Sequence, residues 1–353
     1  MSNLGMLGWS ACVTLAAAGV AWADDPALVE AATSEGAVSV YTSTDIAQAK
    51  GLLDAFTAKY PGIRIDYNDV GTNGAYNRVI AEAAAKQMGG DVVWSSAMDL
   101  QMKLAADGYF EPYASPEAGV VPDWGKYQDL LYATTIEPVG IIYNKLVVGE
   151  DQVPKTRADL IAFLGDPAFN GVVATFDPEK SGSGFLFHTN DLHETTDFWD
   201  LAAAFAAANG KTYSSTGSIK ETVVSGENAL AFNIIGSYGI EWAQEIENLG
   251  VAFSSDYTAG FSRVAGIPAG APHPNAAKLF VDFMLSKEGQ SALAASDLPS
   301  LRTDIETGLD LDSLDELVGG NLRPIALNDT LLEFMDPMKR VEFLKEWKAA
   351  GKS

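Results

Sequence analysis

The stretch AVSVYTSTDIAQAKGLLDAFTAKYPGIRIDY, residues 37–67, decides the fold. It opens on a β-prone run, 37–41, which stops at the polar tetrad Thr42-Ser43-Thr44-Asp45. Residues 46–59 follow with Leu52, Leu53 and Phe56 at the spacing of a helix core face. Pro61-Gly62 breaks that helix, and residues 63–67 resume the β pattern. The unit then repeats: a helix over 74–88, a strand at 91–94 ending in Ser95-Ser96, and a helix over 98–107. Strands alternating with helices argue for a mostly parallel sheet covered by helices. Ligands of such α/β sheets bind beyond the carboxyl ends of the strands, at helix N-termini.

Outward from this unit, residues 134–144 are extended around the Pro138-Val139-Gly140 break and are expected to carry the chain into a second domain. A second α/β series follows: helix 156–164, strand 171–176, helices within 185–209, strand 211–213, helix 218–225, strand 229–235, helix 239–247 and strand 251–255. Residues 260–268 are expected to cross back, ahead of helices at 274–286 and 287–295. The C-terminal part reads as amphipathic helix, with Leu331, Leu332, Phe334, Val341, Phe343, Leu344 and Trp347 apolar. The expected division is 24–136 with 262–353 in one lobe and 137–261 in the other. The C-terminal helices are free to pack on either lobe.

Composition bounds the function. Of 353 residues, 23 are Lys or Arg and 47 are Asp or Glu, a net charge of −24. So acidic a surface repels phosphate backbones and anionic headgroups, which argues against nucleic acid and polybasic membrane docking. At 47% hydrophobic and 20% charged, the chain buries a large core, so global disorder is excluded. Residues 1–23 carry no charged side chain and end in Ala21-Trp22-Ala23, the pattern of a secretory signal cut after Ala23, with a periplasmic product. The lack of Lys or Arg in Met1-Ser2-Asn3 departs from that pattern, and an uncleaved anchor is the competing reading. The single cysteine, Cys12, lies in this segment behind Trp9-Ser10-Ala11, which does not suit a lipid-attachment box. A mature chain from Asp24 has no cysteine, hence no disulfide, thiolate metal site or Cys nucleophile.

The catalytic inventory is thin. His188 and His193 stand five apart, off the spacing of a helical metal pair, and His273 lies in a Pro-flanked turn, so no metal or resident cofactor is expected. Ser181-Gly182-Ser183-Gly184 lacks the first glycine of a nucleophile elbow, which leaves a secreted hydrolase as an alternative only. Four polar loops at helix starts are more informative: Ser43, Thr44 and Asp45; Ser95 and Ser96; Ser181, Gly182, Ser183 and Gly184; and Ser237 with Tyr238 after Gly236. Singly, each reads equally as an ordinary N-cap worth ~1 kcal/mol. Two per domain, converging on one cleft, they suit an anion or a polyhydroxyl ligand. Arg78, Lys180 and Arg263 are the candidate counter-charges.

Residues 38–43, 53–62, 91–96 and 140–145, Asp177-Pro178 with 181–184, and above all 267–280 with Phe283 and 286–290 resemble the periplasmic solute-binding proteins of ABC importers. The likeness is to the type II group, which includes ferric-iron-binding and phosphosugar- or phosphonate-binding members. The resemblance implies two α/β lobes joined by crossing strands, a small-molecule ligand captured by hinge closure, delivery to the membrane subunits of an ABC permease, a monomer, and binding in place of turnover. Ferric-binding relatives commonly carry two adjacent tyrosines after a second-domain strand. Here Gly236-Ser237-Tyr238-Gly239 offers one, so Fe3+ is the alternative ligand, and the Ser-Gly-Ser-Gly loop favours a phosphorylated or phosphonate-like solute. Polyamines and thiamine-like compounds stay open. The acidic exterior does not decide among them, because surface charges are screened beyond ~8 Å.

Overall fold

The computed structural model describes residues 25–350, so the proposed signal segment lies outside it. Helix α1 (Pro26–Glu35) starts where the Asp25 carboxylate accepts from Ala27 N and stops at Gly36, whose φ of 73° suits a residue without Cβ. There follow β1 (Ala37–Thr42), α2 (Ile46–Lys59), β2 (Arg64–Asp69), α3 (Gly71–Ala85), β3 (Val92–Ser95) and α4 (Met98–Ala106), then the short strands β4 (Phe110–Glu111), β5 (Lys126–Tyr127) and β6 (Leu131–Ala133). The chain next forms β7 (Glu137–Asn144), α5 (Arg157–Leu164), β8 (Val173–Phe176), α6 (Gly182–Glu194), α7 (Phe198–Ala207), β9 (Lys211–Tyr213), α8 (Thr216–Val224), β10 (Leu230–Ile235), α9 (Gly236–Glu245), β11 (Leu249–Ala252) and β12 (Thr258–Phe261). It ends with β13 (Val264–Pro268), α10 (Pro274–Leu285), α11 (Lys287–Ala294), α12 (Leu311–Leu317), β14 (Leu322–Pro324) and α13 (Pro337–Ala349).

Two seven-stranded sheets result. The first runs β2-β1-β3-β13-β6-β5 with β4 on β13, and the second runs β14-β12-β7-β10-β8-β9 with β11 on β7. Both are mixed where mostly parallel sheets were expected. The βαβ units give parallel β2, β1 and β3 in one sheet and β10, β8 and β9 in the other, whereas β13 and β7 enter antiparallel. The reason is topological: these two strands cross between sheets and return directly, without the helix that a parallel crossover needs. Strand β1 is buried along nearly its whole length, as expected of a strand covered on both faces. Phe56 of α2 meets Phe280 and Phe283 of α10 edge-on, with centroids 5.0 and 5.4 Å apart.

The tail corrects the helical reading of the C-terminus. β14 adds to the second sheet, parallel to β12, with Leu322 opposite Thr258. A 3-10 turn, Asp329–Met335, leads to α13, whose Phe343 packs 5.5 Å from Phe185 of α6. In between, Ile325 N donates to Gly260 O of the second sheet at 2.7 Å, while Leu327 N donates to Trp124 O, beside the first sheet, at 2.8 Å.

Where the chain crosses between sheets, Arg263 and Glu137 are both fully buried. Arg263 Nε and Nη2 donate to the two Glu137 carboxylate oxygens at 2.8 and 3.0 Å. Thr135 and Ser237 hydroxyls donate to the same carboxylate at 2.8 and 2.6 Å, and Arg263 Nη1 donates to Thr44 Oγ1 at 2.8 Å. Removing one partner would leave the other charge dry and unpaired, so Glu137→Gln is expected to lose ~3–5 kcal/mol in urea unfolding. Glu137→Met combined with Arg263→Met is expected to recover most of that loss.

His188 lies inside α6 with Nε2 3.3 Å from Phe176 O and its ring 4.5 Å from that of Trp347. Burial, partly offset by Asp191, lowers its pKa from 6.5 to about 4. The unfolded chain thus takes up this proton at higher pH than the folded one. Stability is untouched above about 6.5 and falls as pH drops from there to about 4. The loss is roughly 3 kcal/mol at 1.36 per unit. Urea midpoints measured between these pH values are expected to fall less in His188→Gln than in the parent.

Candidate functional site

The polar loops at the helix starts come together. Ser43 Oγ is 3.1 Å from Ser96 Oγ and also accepts from Ser96 N at 3.1 Å. Ser96 Oγ is in turn 2.9 Å from Ser183 Oγ of α6, so a chain of three hydroxyls spans from one sheet's loops to the other's. Ser95 Oγ closes its own turn by accepting from Ala97 N at 3.3 Å. Ser181 caps α6 by accepting from Gly184 N at 3.1 Å, so Gly182, Ser183 and Gly184 form the first helical turn where a loop was expected. Gly182 N donates to Thr72 Oγ1 at 3.1 Å, and Asn73 Nδ2 to Lys180 O at 2.9 Å. At the other end of the cleft, Asp45 N donates to Tyr238 OH at 3.4 Å and Gln48 Nε2 to Glu241 Oε2 at 2.8 Å. The two lobes therefore touch along the whole line of these loops.

Two of the expected site residues are engaged by Glu137. Ser237 faces the crossing strands and bonds Glu137. Arg263 lies at the cleft floor but its charge is taken up by Glu137, with the Tyr238 ring 5.2 Å from its guanidinium. The other two candidate cations are likewise paired. Arg78 Nε donates to Glu82 at 2.8 Å and stacks on Tyr41, and exposed Lys180 pairs with Asp177 at 3.2 Å. Asp45 precedes α2 without a side-chain cap bond and is exposed at the lip.

Sequence reading missed Tyr67 and Asp69 at the end of β2 and Thr72 in the first turn of α3, on either side of the strand-to-helix junction. The same rule that marked the turns after β1 and β3 applies to this one. Tyr67 OH donates to Thr44 O at 2.6 Å, and burial pushes its pKa well up. Burial also raises Tyr238, against the opposing pull of Arg263, to about 12. Both phenols are thus neutral at physiological pH, Tyr67 donating to Thr44 O and Tyr238 accepting from Asp45 N. Asp69 and Glu241 are raised by burial first of all, Asp69 also by Asp45 nearby. Ser183 faces Ser96 and no histidine, and among the described residues no three His, Cys, Asp or Glu side chains cluster to hold a metal. The arrangement is one of hydroxyls, phenols and helix N-termini around a neutralised floor, which is the chemistry of holding a solute.

Residues 42–291 match the family described as bacterial extracellular solute-binding protein. A substrate-binding protein of an ABC transporter from Agrobacterium tumefaciens is 32% identical with a TM-score of 0.85, covering 89% of this chain and 94% of that one. AfuA, the periplasmic binding protein of Actinobacillus pleuropneumoniae, solved with exogenous fructose-6-phosphate, is 21% identical with a TM-score of 0.72, covering 90% and 99%. Iron-bound HitA from Pseudomonas aeruginosa is 20% identical with a TM-score of 0.69, covering 89% and 99%. The chain belongs to the bacterial extracellular solute-binding family and has its two-lobed fold. It is an extracellular solute-binding receptor of an ABC importer, with a small molecule and a membrane permease as partners.

The close approach at α6 depends on Gly182, where a Cβ would meet Thr72 Oγ1 at 2.8 Å, Thr72 Cβ at 3.0 Å and Leu100 Cδ1 at 3.1 Å. Gly182→Leu is expected to fold normally while its lobes are wedged apart. Small-angle scattering with ligand at saturation should then give a larger radius of gyration than the parent's.

Proposed function

We propose that this receptor captures a small phosphorylated or phosphonate-like organic solute between its lobes. The observation that carries the reading is the Ser43–Ser96–Ser183 hydroxyl chain running onto the N-terminal turn of α6, next to Thr72 and the Gly182 N–H. These groups donate hydrogen bonds, and the α6 dipole adds positive potential where they converge. An oxyanion replaces the bonds that the hydroxyls now make to one another. The other cations are paired, so the site works through neutral donors, which fits a chain whose exterior is acidic. AfuA, of the same fold, is known with a sugar phosphate. Closure is read as rotation of 24–136 with the first part of 262–353 against 137–261, to which β14 and α13 are attached, about the crossing strands, in a monomer, with no chemistry on the solute.

Ferric iron is the second reading. Tyr67 and Tyr238 flank Arg263, and Asp45 and Asp69 lie close enough to influence one another. A phenolate and carboxylate set of this kind suits Fe3+, and HitA of the same fold was solved with iron.

A thermal-shift panel separates the two. Fructose-6-phosphate, glycerol-3-phosphate and 2-aminoethylphosphonate are expected to raise Tm, by about 2.7 kcal/mol in stability at a hundredfold excess over Kd. Ser96→Ala with Ser183→Ala should weaken that binding about tenfold or more, and Tyr238→Phe should leave it nearly intact. Stabilisation by ferric citrate alone, abolished in Tyr238→Phe, would overturn the oxyanion reading, and release of inorganic phosphate from the esters would overturn the receptor reading.

A further inference from the structure

Outside the cleft, a cavity of about 190 Å³ lies between α4, α6 and the tail residues 323–334. None of its lining residues belongs to the polar loops of the cleft. Asp99, in the first turn of α4 and only 3% exposed, lines it. One Asp99 carboxylate oxygen accepts from Leu100 N at 2.8 Å, and the other, Oδ2, is buried with no hydrogen-bond partner. A bare buried carboxylate is costly, so burial raises the Asp99 pKa to about 7 against the pull of Arg340, and a cationic donor that reaches Oδ2 draws the group to its ionised, accepting form. Across from it the wall is apolar, with Leu186, Ile325, Leu331 and Phe334, while Asn190 and Thr330 supply polar edges. At the rim Arg323 is already paired with Glu194 at 3.2 Å.

We propose that this cavity is a second ligand site, which takes a small organic ammonium ion. The ammonium donates to Asp99 Oδ2 and neutralises it, and a short hydrocarbon body fills the apolar wall. The volume suits a body of about benzene's size, since a ~150 Å³ apolar cavity accepts benzene. Other occupants fit less well. An anion meets the Asp99 and Glu194 carboxylates, and a bare metal ion finds no cluster of three or more ligating side chains among the described residues. A neutral alcohol supplies a donor but leaves the charge uncompensated. The internal competitor is Arg340 of α13. It acts on Asp99 through space, but its guanidinium packs on the Phe185 ring at 3.9 Å. Since the walls come from α4 of one lobe and α6 of the other, an occupant here favours the same closed arrangement as the cleft solute.

The test uses the whole secreted chain, with n-butylammonium as the probe and n-butanol and butyrate as controls, read by calorimetry and thermal shift. Millimolar n-butylammonium is expected to raise Tm while both controls leave it unchanged. Asp99→Asn keeps the shape and the Leu100 bond; it is expected to raise the Tm of the unliganded protein and to weaken n-butylammonium at least about tenfold. Ala326→Leu, which fills the cavity from the tail, is expected to abolish binding without touching Asp99. The proposal is overturned if n-butylammonium gives no shift, if Asp99→Asn binds it as tightly as the parent, or if Asp99→Asn destabilises the unliganded protein, which would make Arg340 the partner of Asp99.

Discussion

At the crossing between the two sheets, Arg263 donates two hydrogen bonds to Glu137, and both groups are fully buried. Taking both charges out of solvent is expensive and is offset only if every remaining polar atom is bonded. The chain meets this demand with groups from three places: Thr135 beside the pair, Ser237 from the first turn of α9, and Thr44 from the turn after β1. The demand propagates outward. Thr44 O also accepts from Tyr67, and the Tyr238 ring lies against the guanidinium. The floor of the cleft, the register of β7 and the starts of α2 and α9 are therefore set together.

That pairing also explains how an acidic receptor keeps a workable site. A free arginine at the floor would make the cleft an unselective trap for anions, and a free glutamate would close it to them. The bidentate pair presents neither sign. On the proposed reading, a solute meets the oriented dipoles above it: Ser43, Ser96, Ser183, Thr72 and the N-terminus of α6. Such donors hold their direction because each is fixed by a neighbour, and selectivity then rests on geometry more than on charge.

The elements legible in the sequence were those whose signal is local. The alternation across residues 37–67 gave β1, α2 and β2 because strand and helix periods differ sharply there, and the turns after β1 and β3 followed from the position of ligand sites in α/β sheets. Long-range partners left no local trace. Glu137 stands 126 residues from Arg263, so Arg263 read as a free cation. Strand β14 is three residues long and ends in proline, and it is ordered by β12 far upstream, so a helix-rich tail was the natural reading. Ser181 was visible as a cap, but the sequence did not show that the glycines after it form the first turn of α6, with Gly182 N donating to Thr72 of the opposite lobe. Asp99 gave no signal at all: an acidic residue in a first helical turn is ordinary, and only the tertiary structure leaves its second oxygen bare.

The tail bonds at Ile325 and Leu327 have a kinematic meaning. Of two backbone N–H groups two residues apart, one is tied to Gly260 O in the second sheet and one to Trp124 O in the turn beside the first. A two-residue span has almost no slack, so any motion that separates its anchors breaks a bond. Both bonds survive a large swing of the lobes only if the anchors lie close to the line that does not move. A swing of the lobes that keeps both bonds must therefore turn about a line near this span, and sliding one lobe past the other would break one of them.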